Sequence, residues 1–123
     1  MPRFSANLSM LFTEVAFLER FERAAAAGFR AVEYLFPYEW DKGVLAEQLK
    51  RCRLKQVLHN LPAGDWAGGE RGIACIPGRE GEFKDGVGKA IEYAKALECP
   101  RVNCLVGKKP AGVPPENMRA AVV

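Results

Sequence analysis

The sequence predicts an α/β fold built as a partial (β/α)8 barrel of about four βα units, and three observations carry that reading. Strand-like runs alternate with helix-like runs, which implies a parallel sheet with helical crossovers. The units also echo one another. Gly28-Phe29-Arg30-Ala31-Val32-Glu33, Cys52-Arg53-Leu54-Lys55-Gln56-Val57 and Cys99-Pro100-Arg101-Val102-Asn103-Cys104 each pass from a helix end through a basic residue into a strand. Thirdly, the first βα turn, Asn7-Leu8-Ser9-Met10-Leu11-Phe12, lacks the glycine pattern of a dinucleotide-binding open sheet, and no phosphate-loop motif occurs. Polar residues stand instead at or just past strand ends: Asn7, Ser9, Glu33, His59, Asn60 and Asn103. In a barrel that rim is where active sites are built.

Arg3 to Ser9 is the first strand, and Thr13 is placed to cap a helix ahead of Glu14, whose charge suits the positive end of the helix dipole. Phe17, Leu18, Phe21, Ala24 and Ala25 recur at helical spacing, with Phe17 and Phe21 assigned to the core, and Gly28 closes the run as a C-terminal cap. Phe29 to Phe36, rich in aromatic and branched residues and stopped by Pro37, is the second strand. Asp41 caps a helix carrying Leu45, Leu49 and Cys52 on one face, and Lys55 to His59 is the third strand. The loop from Asn60 to Arg79 holds five glycines and two prolines, and loops of that length are commonly functional or disordered. Phe83, assigned to the core like Phe17 and Phe21, marks the third helix together with Val87, Ala90, Ile91, Ala94 and Leu97, and the helix is weakened by Gly86 and Gly88. Arg101 to Val106 is the fourth strand, and a further helix begins at Glu116.

A composition of 49% hydrophobic and 27% charged residues suits a packed domain and excludes a disordered chain. No apolar run approaches the roughly 18 residues of a membrane span, and the first residues do not read as a signal peptide, so the expected location is cytoplasmic and no membrane partner is expected. Cys52, Cys75, Cys99 and Cys104 lack metal-ribbon or disulfide-framework spacing, and most of them are read as reduced and packed. The net charge is +3, and its densest basic run, Lys50 to Lys55, falls at a helix end where cations suit the dipole. No nucleic-acid partner is therefore expected. A complete barrel needs roughly 250 residues and eight units, so residues 1–123 are read as the N-terminal half of one barrel domain. Open first and last strands in such a half leave edges through which copies can self-associate.

At Asn7-Leu8-Ser9-Met10-Leu11-Phe12, at Val32-Glu33-Tyr34-Leu35-Phe36-Pro37-Tyr38, and above all at His59-Asn60-Leu61-Pro62-Ala63-Gly64-Asp65-Trp66, the sequence resembles the hydroxypyruvate isomerase family. The match runs on through Gly69 to Arg79 and Asn103-Cys104-Leu105-Val106-Gly107. A sister activity, 2-oxo-tetronate isomerase, is similar over the same motifs. The resemblance implies a xylose-isomerase-like TIM barrel interconverting hydroxypyruvate and 2-hydroxy-3-oxopropanoate through an enediolate. That chemistry needs a base, an acid and donors on two oxygens. In the family two glutamates on later strands move the proton and, with further ligands, form a divalent-metal site. All would lie after Val123, so no catalytic or metal residue is assigned within this chain, and a divalent metal belongs to the expectation for a full-length enzyme only.

Five residues are the candidate contacts to a small 2-oxo acid substrate. His59, the one histidine, either donates to a substrate oxygen or is hydrogen-bonded within the rim. Glu33 makes a structural hydrogen bond, orienting His59, or touches substrate. Arg71, like Arg79 across the glycine-rich loop, suits a carboxylate or anchors the loop. Trp66 is a water-excluding lid side chain or a packing anchor. Asn7, with Asn103 as its counterpart, hydrogen-bonds ligand or closes a strand end. Two other readings stand beside the isomerase: a non-catalytic half-barrel, and the abasic-site endonuclease type. One histidine and a charge of +3 argue against the second, which needs several histidine ligands and a basic face.

Overall fold

A computed structural model describes residues 1–123. Four strands, β1 (Ser5–Asn7), β2 (Ala31–Glu33), β3 (Lys55–Asn60) and β4 (Val102–Asn103), form one sheet in the order β1-β2-β3-β4. β1 pairs with β2, and β2 with β3, in parallel. Between and after the strands run α1 (Arg20–Ala26), α2 (Lys42–Cys52), α3 (Glu80–Ala96) and α4 (Pro115–Val122). Consecutive parallel strands lying side by side, each joined by a helical crossover, are the architecture of a partial barrel. The chain divides into two compact units, Met1–His59 with Glu92–Val102, and Asn60–Ile91 with Asn103–Val123.

In the first unit, Ala6, Val32 and Gln56 are register partners, so their side chains share one sheet face, and each is at most 2% exposed. Phe21 and Ala24 of α1, Leu45 and Leu49 of α2, and Tyr93 of α3 complete the core over that face. Burying Phe21 completely is worth roughly 1.5–3 kcal/mol. Asp41 caps α2 as expected, its Oδ1 accepting from the amides of Gly43 at 2.8 Å and Val44 at 3.3 Å. Arg53 ends the helix in the left-handed region at φ 55°, with its amide donating to Leu49 and Lys50 carbonyls.

The elements are shorter than the sequence suggests, for identifiable reasons. Thr13 does not cap a helix: residues 8–16 are turns, a 3-10 turn spans Phe17–Glu19, and α1 starts only at Arg20. The Arg20 guanidinium holds those turns by donating to the carbonyls of Leu8 at 2.7 Å and Val15 at 3.1 Å. β1 stops at Asn7 because its Oδ1 accepts the Ser9 amide at 3.0 Å, an Asx turn. β2 stops at Glu33 because the Leu35 amide goes to Ser9 Oγ at 2.9 Å instead of to the ladder. β4 covers two residues of the six expected, and the Val106 carbonyl beyond it accepts from the Cys75 amide at 2.9 Å.

In the second unit, residues 60–79 are ordered by their own bonds. Gly72, at φ +109°, donates its amide to the Ala63 carbonyl at 2.9 Å and lies against the Leu105 backbone. α3 runs unbroken through Gly86 and Gly88, and a Cβ at Gly86 would already touch the Pro62 ring at 3.5 Å. No helix of the protein is long and apolar enough to cross a membrane.

Candidate functional site

Strand ends in the first unit place two sets of polar side chains on opposite faces of the sheet. Asn7 and Glu33 are register partners on the face away from the helices, and Asn7 Nδ2 lies 3.5 Å from Glu33 Oε1. Both are half-buried. The Asn7 oxygen is already committed to Ser9, so the amide nitrogen is the group turned towards the carboxylate.

His59 lies on the other face, and the cause is a β-bulge. Val32 pairs with Gln56 while Glu33 pairs with Leu58, so Val57 is an extra residue in β3. Regular alternation would send Gln56 and His59 to opposite faces; the insertion brings them to the same one. His59 is completely buried, its Nδ1 2.9 Å from Gln56 Nε2, and its ring meets Tyr38 edge-on at 6.2 Å. Gln56 Oε1 in turn accepts from the Tyr34 hydroxyl, which is 2% exposed as a residue. Burial pushes the Tyr34 phenol far above its ordinary value, so it keeps its proton and donates. Glu33 and His59 are thus partnered separately, with Asn7 and Gln56 respectively.

The second unit holds the glycine-rich loop. Arg71 stacks on Trp66, guanidinium to ring 3.9 Å, and its Nη1 donates to the carbonyls of Trp66 at 3.0 Å and Glu70 at 2.8 Å. Trp66 remains 38% exposed, so the stack is a surface feature. Arg79 grips Glu70 and donates from Nε to Glu82 at 2.8 Å. The guanidinium holds both carboxyls below their ordinary range, and the carboxylates push Arg79 higher still. Glu70 also accepts the Asp65 amide at 2.7 Å. Asn60, next to His59 in sequence, accepts from Asn103 Nδ2 at 3.0 Å, and Leu61 donates to the Asn103 carbonyl at 2.8 Å. Asn103 therefore ties β4 to the end of β3.

Gln56 and Tyr34 do not stand out in the sequence. Both sit in strand-like runs where a glutamine and a tyrosine read as ordinary filler. A polar residue three positions before the one histidine is the available signal, but at regular strand alternation it would point the wrong way. No three His, Cys, Asp or Glu side chains gather in a way that could hold a metal ion.

Residues 21–123 match the family model of the xylose isomerase-like TIM barrel. Over all 123 residues the chain is 62% identical to a hydroxypyruvate isomerase of Escherichia coli (strain K12), of which it covers 48%. It is 50% identical over 120 residues to a 2-oxo-tetronate isomerase of Cupriavidus necator, covering 98% of this chain and 46% of that one. Among solved structures, a crystal structure described as an AP endonuclease, family 2, from Brucella melitensis superposes with a TM-score of 0.95 at 52% identity, over 99% of this chain and 47% of that one. The chain thus spans about half the length of the relatives it matches. The family model and the parallel strand order agree: this chain belongs to the xylose isomerase-like TIM barrel family.

Proposed function

We propose that this chain is the substrate-binding portion of an isomerase that interconverts hydroxypyruvate and 2-hydroxy-3-oxopropanoate. The observation that carries the reading is 62% identity, along the whole chain, to a hydroxypyruvate isomerase. In the reaction a proton leaves C3 of hydroxypyruvate and one is delivered to C2 of the resulting enediolate. Negative charge develops on the two oxygens, and polar donors stabilise it. In the first unit Asn7, oriented by Glu33, and His59, buried on the opposite face of the sheet, are alternative donors; in the second unit the candidate donor is Arg71, stacked on Trp66. The residues present do not fit a metal site by themselves. The pair of groups that moves the proton lies outside residues 1–123. A cytoplasmic place in two- and three-carbon acid metabolism fits this substrate.

The test uses a protein completed to the relatives' length, incubated with hydroxypyruvate in deuterium oxide. Deuterium should enter C3 of the recovered substrate and the aldehyde product should form. His59→Ala in that protein should lower kcat/KM by roughly ten- to a hundredfold, the worth of a hydrogen bond to a charged group. Absence of both exchange and product overturns the isomerase reading. Turnover by residues 1–123 alone overturns the assignment of the proton-transfer pair. The four-carbon alternative is favoured by the 50% identity to a 2-oxo-tetronate isomerase, and faster turnover of 2-oxo-tetronate would select it.

A further inference from the structure

A buried chain of hydrogen bonds fixes more about His59 than its position. A neutral imidazole carries one ring proton, and the partner of one nitrogen decides which nitrogen holds it. Here the partner of Nδ1 is the Gln56 side-chain amide, 2.9 Å away, in a site where Tyr34, Gln56 and His59 are each at most 2% exposed. An amide presents either its NH2 or its oxygen, so the tautomer depends on which end faces the ring.

Two neighbours settle the amide's orientation. The Tyr34 hydroxyl donates to Gln56 Oε1, which directs the NH2 group towards His59. The Cys99 thiol also lies against the Gln56 side chain, and its own proton is used on the Arg101 carbonyl, with Sγ 3.2 Å from that oxygen. The sulfur thus faces Gln56 with lone pairs only, and a reversed amide would set oxygen against sulfur with no proton between them. Burial raises the Cys99 pKa, so the thiol keeps that proton at neutral pH. All the groups named belong to the first compact unit.

We propose that Tyr34 and Gln56 are positioning residues that hold His59 in the Nε2–H tautomer, so that the ring serves as a proton donor and not as a base. This suits an enediolate reaction, in which an oxygen acquiring charge needs a donor while proton abstraction is done elsewhere. The consequence for turnover rests on the substrate-donor reading of His59; the tautomer itself does not.

Because the chain has one histidine, imidazole 15N labelling reports on His59 alone. Multiple-bond 1H–15N spectra of the 123-residue chain, taken with the imidazole neutral, should show one species with Nε2 protonated and Nδ1 bare. A protonated Nδ1, or an even mixture, overturns the proposal in the wild-type protein, with no variant needed. Gln56→Glu replaces the donor by an acceptor and should move the proton to Nδ1. Tyr34→Phe frees the amide to turn and should raise the Nδ1–H population about tenfold, the worth of one buried hydrogen bond. A wild-type pattern retained in both folded variants also overturns it. If the tautomer is as stated but His59→Ala leaves kcat/KM of the completed enzyme unchanged, the donor reading fails and the positioning stands. A mixed tautomer alongside impaired His59→Ala turnover overturns the positioning and leaves the donor reading in place.

Discussion

Replacing Gly72 with alanine is expected to release the segment after β4 from the glycine-rich loop. Gly72 has φ +109°, a region costing an L-residue about 1–3 kcal/mol. A Cβ there would also sit on the Leu105 carbonyl oxygen, far closer than a real Cβ approaches any atom, and the obstacle is backbone that has no rotamer to yield. Gly107 faces it from the other side, its own ideal Cβ only 2.7 Å from the Gly72 carbonyl oxygen, so neither strand of the contact has slack. Relieving the overlap pushes residues 105–107 away and stretches the bond from the Cys75 amide to the Val106 carbonyl, now 2.9 Å. Overpacking of this kind costs about 1–3 kcal/mol beyond the backbone strain. Gly69→Ala is the control, since Gly69 has φ +98° and a Cβ there meets nothing within 4 Å. The difference between the two variants isolates the contact at about 2 kcal/mol, or roughly thirtyfold faster hydrogen exchange at the Cys75 amide. Equal Cys75 protection in the two variants would refute the close-approach argument and leave only the shared φ.

Two more outcomes follow from charge. Glu70 is held below its ordinary value of 4.5 chiefly by the hydrogen bond from Arg79 and then by the Asp65 amide. A lowered folded-state value means the clasp is intact at neutral pH and is lost as pH falls from about 4.5 through the depressed value. Protection of the Asp65 amide, corrected for intrinsic exchange, should drop across that range, and Glu70→Gln should abolish the pH dependence; constant protection from neutral pH to about pH 3 would count against the clasp. Separately, Arg3, Arg30, Arg53, Lys55 and Arg101 line one open cavity of about 970 Å³ at the strand entrances. We infer that the chain self-associates through the open sheet edge beside Phe4, which is 71% exposed, and that these cations oppose it. Raising salt from about 10 mM to about 0.5 M shortens the screening length from about 30 Å to well under about 10 Å, and sedimentation should then show more association. Association that weakens with salt would mean the contact is made by opposite charges.

How much could be read beforehand depended on whether a feature is local. Asp41 and Gly28 announce helix ends through chemistry contained in a few residues, and the structure has both in those roles. The repeated basic residue before each strand was visible as a pattern, and the cavity explains where Arg30, Lys55 and Arg101 come together. Thr13 misled because a capping residue is only a local preference, and the Arg20 guanidinium, reaching back to Leu8 and Val15, imposes turns over that stretch. Asn7, Glu33 and His59 were legible as polar residues at strand ends. Their separation onto two faces was not, since it comes from pairing register between β2 and β3, a relation no single segment contains. Arg71 was legible as a loop cation, while its stacking on Trp66 depends on how the loop folds on itself.

The extra residue in β3 has a consequence for how such a barrel can change. A bulge absorbs one residue of strand length, so the wall of the sheet that the imidazole serves is set by its pairing with β2 and not by the count of residues since Leu54. Loss of the one codon for Val57 would leave Gln56 and His59 two positions apart, on one face by plain alternation, and the ring would keep its buried post beside Gln56. For this fold, a strand can gain or lose a residue at the bulge while its chemical side chains keep the same solvent and the same partners.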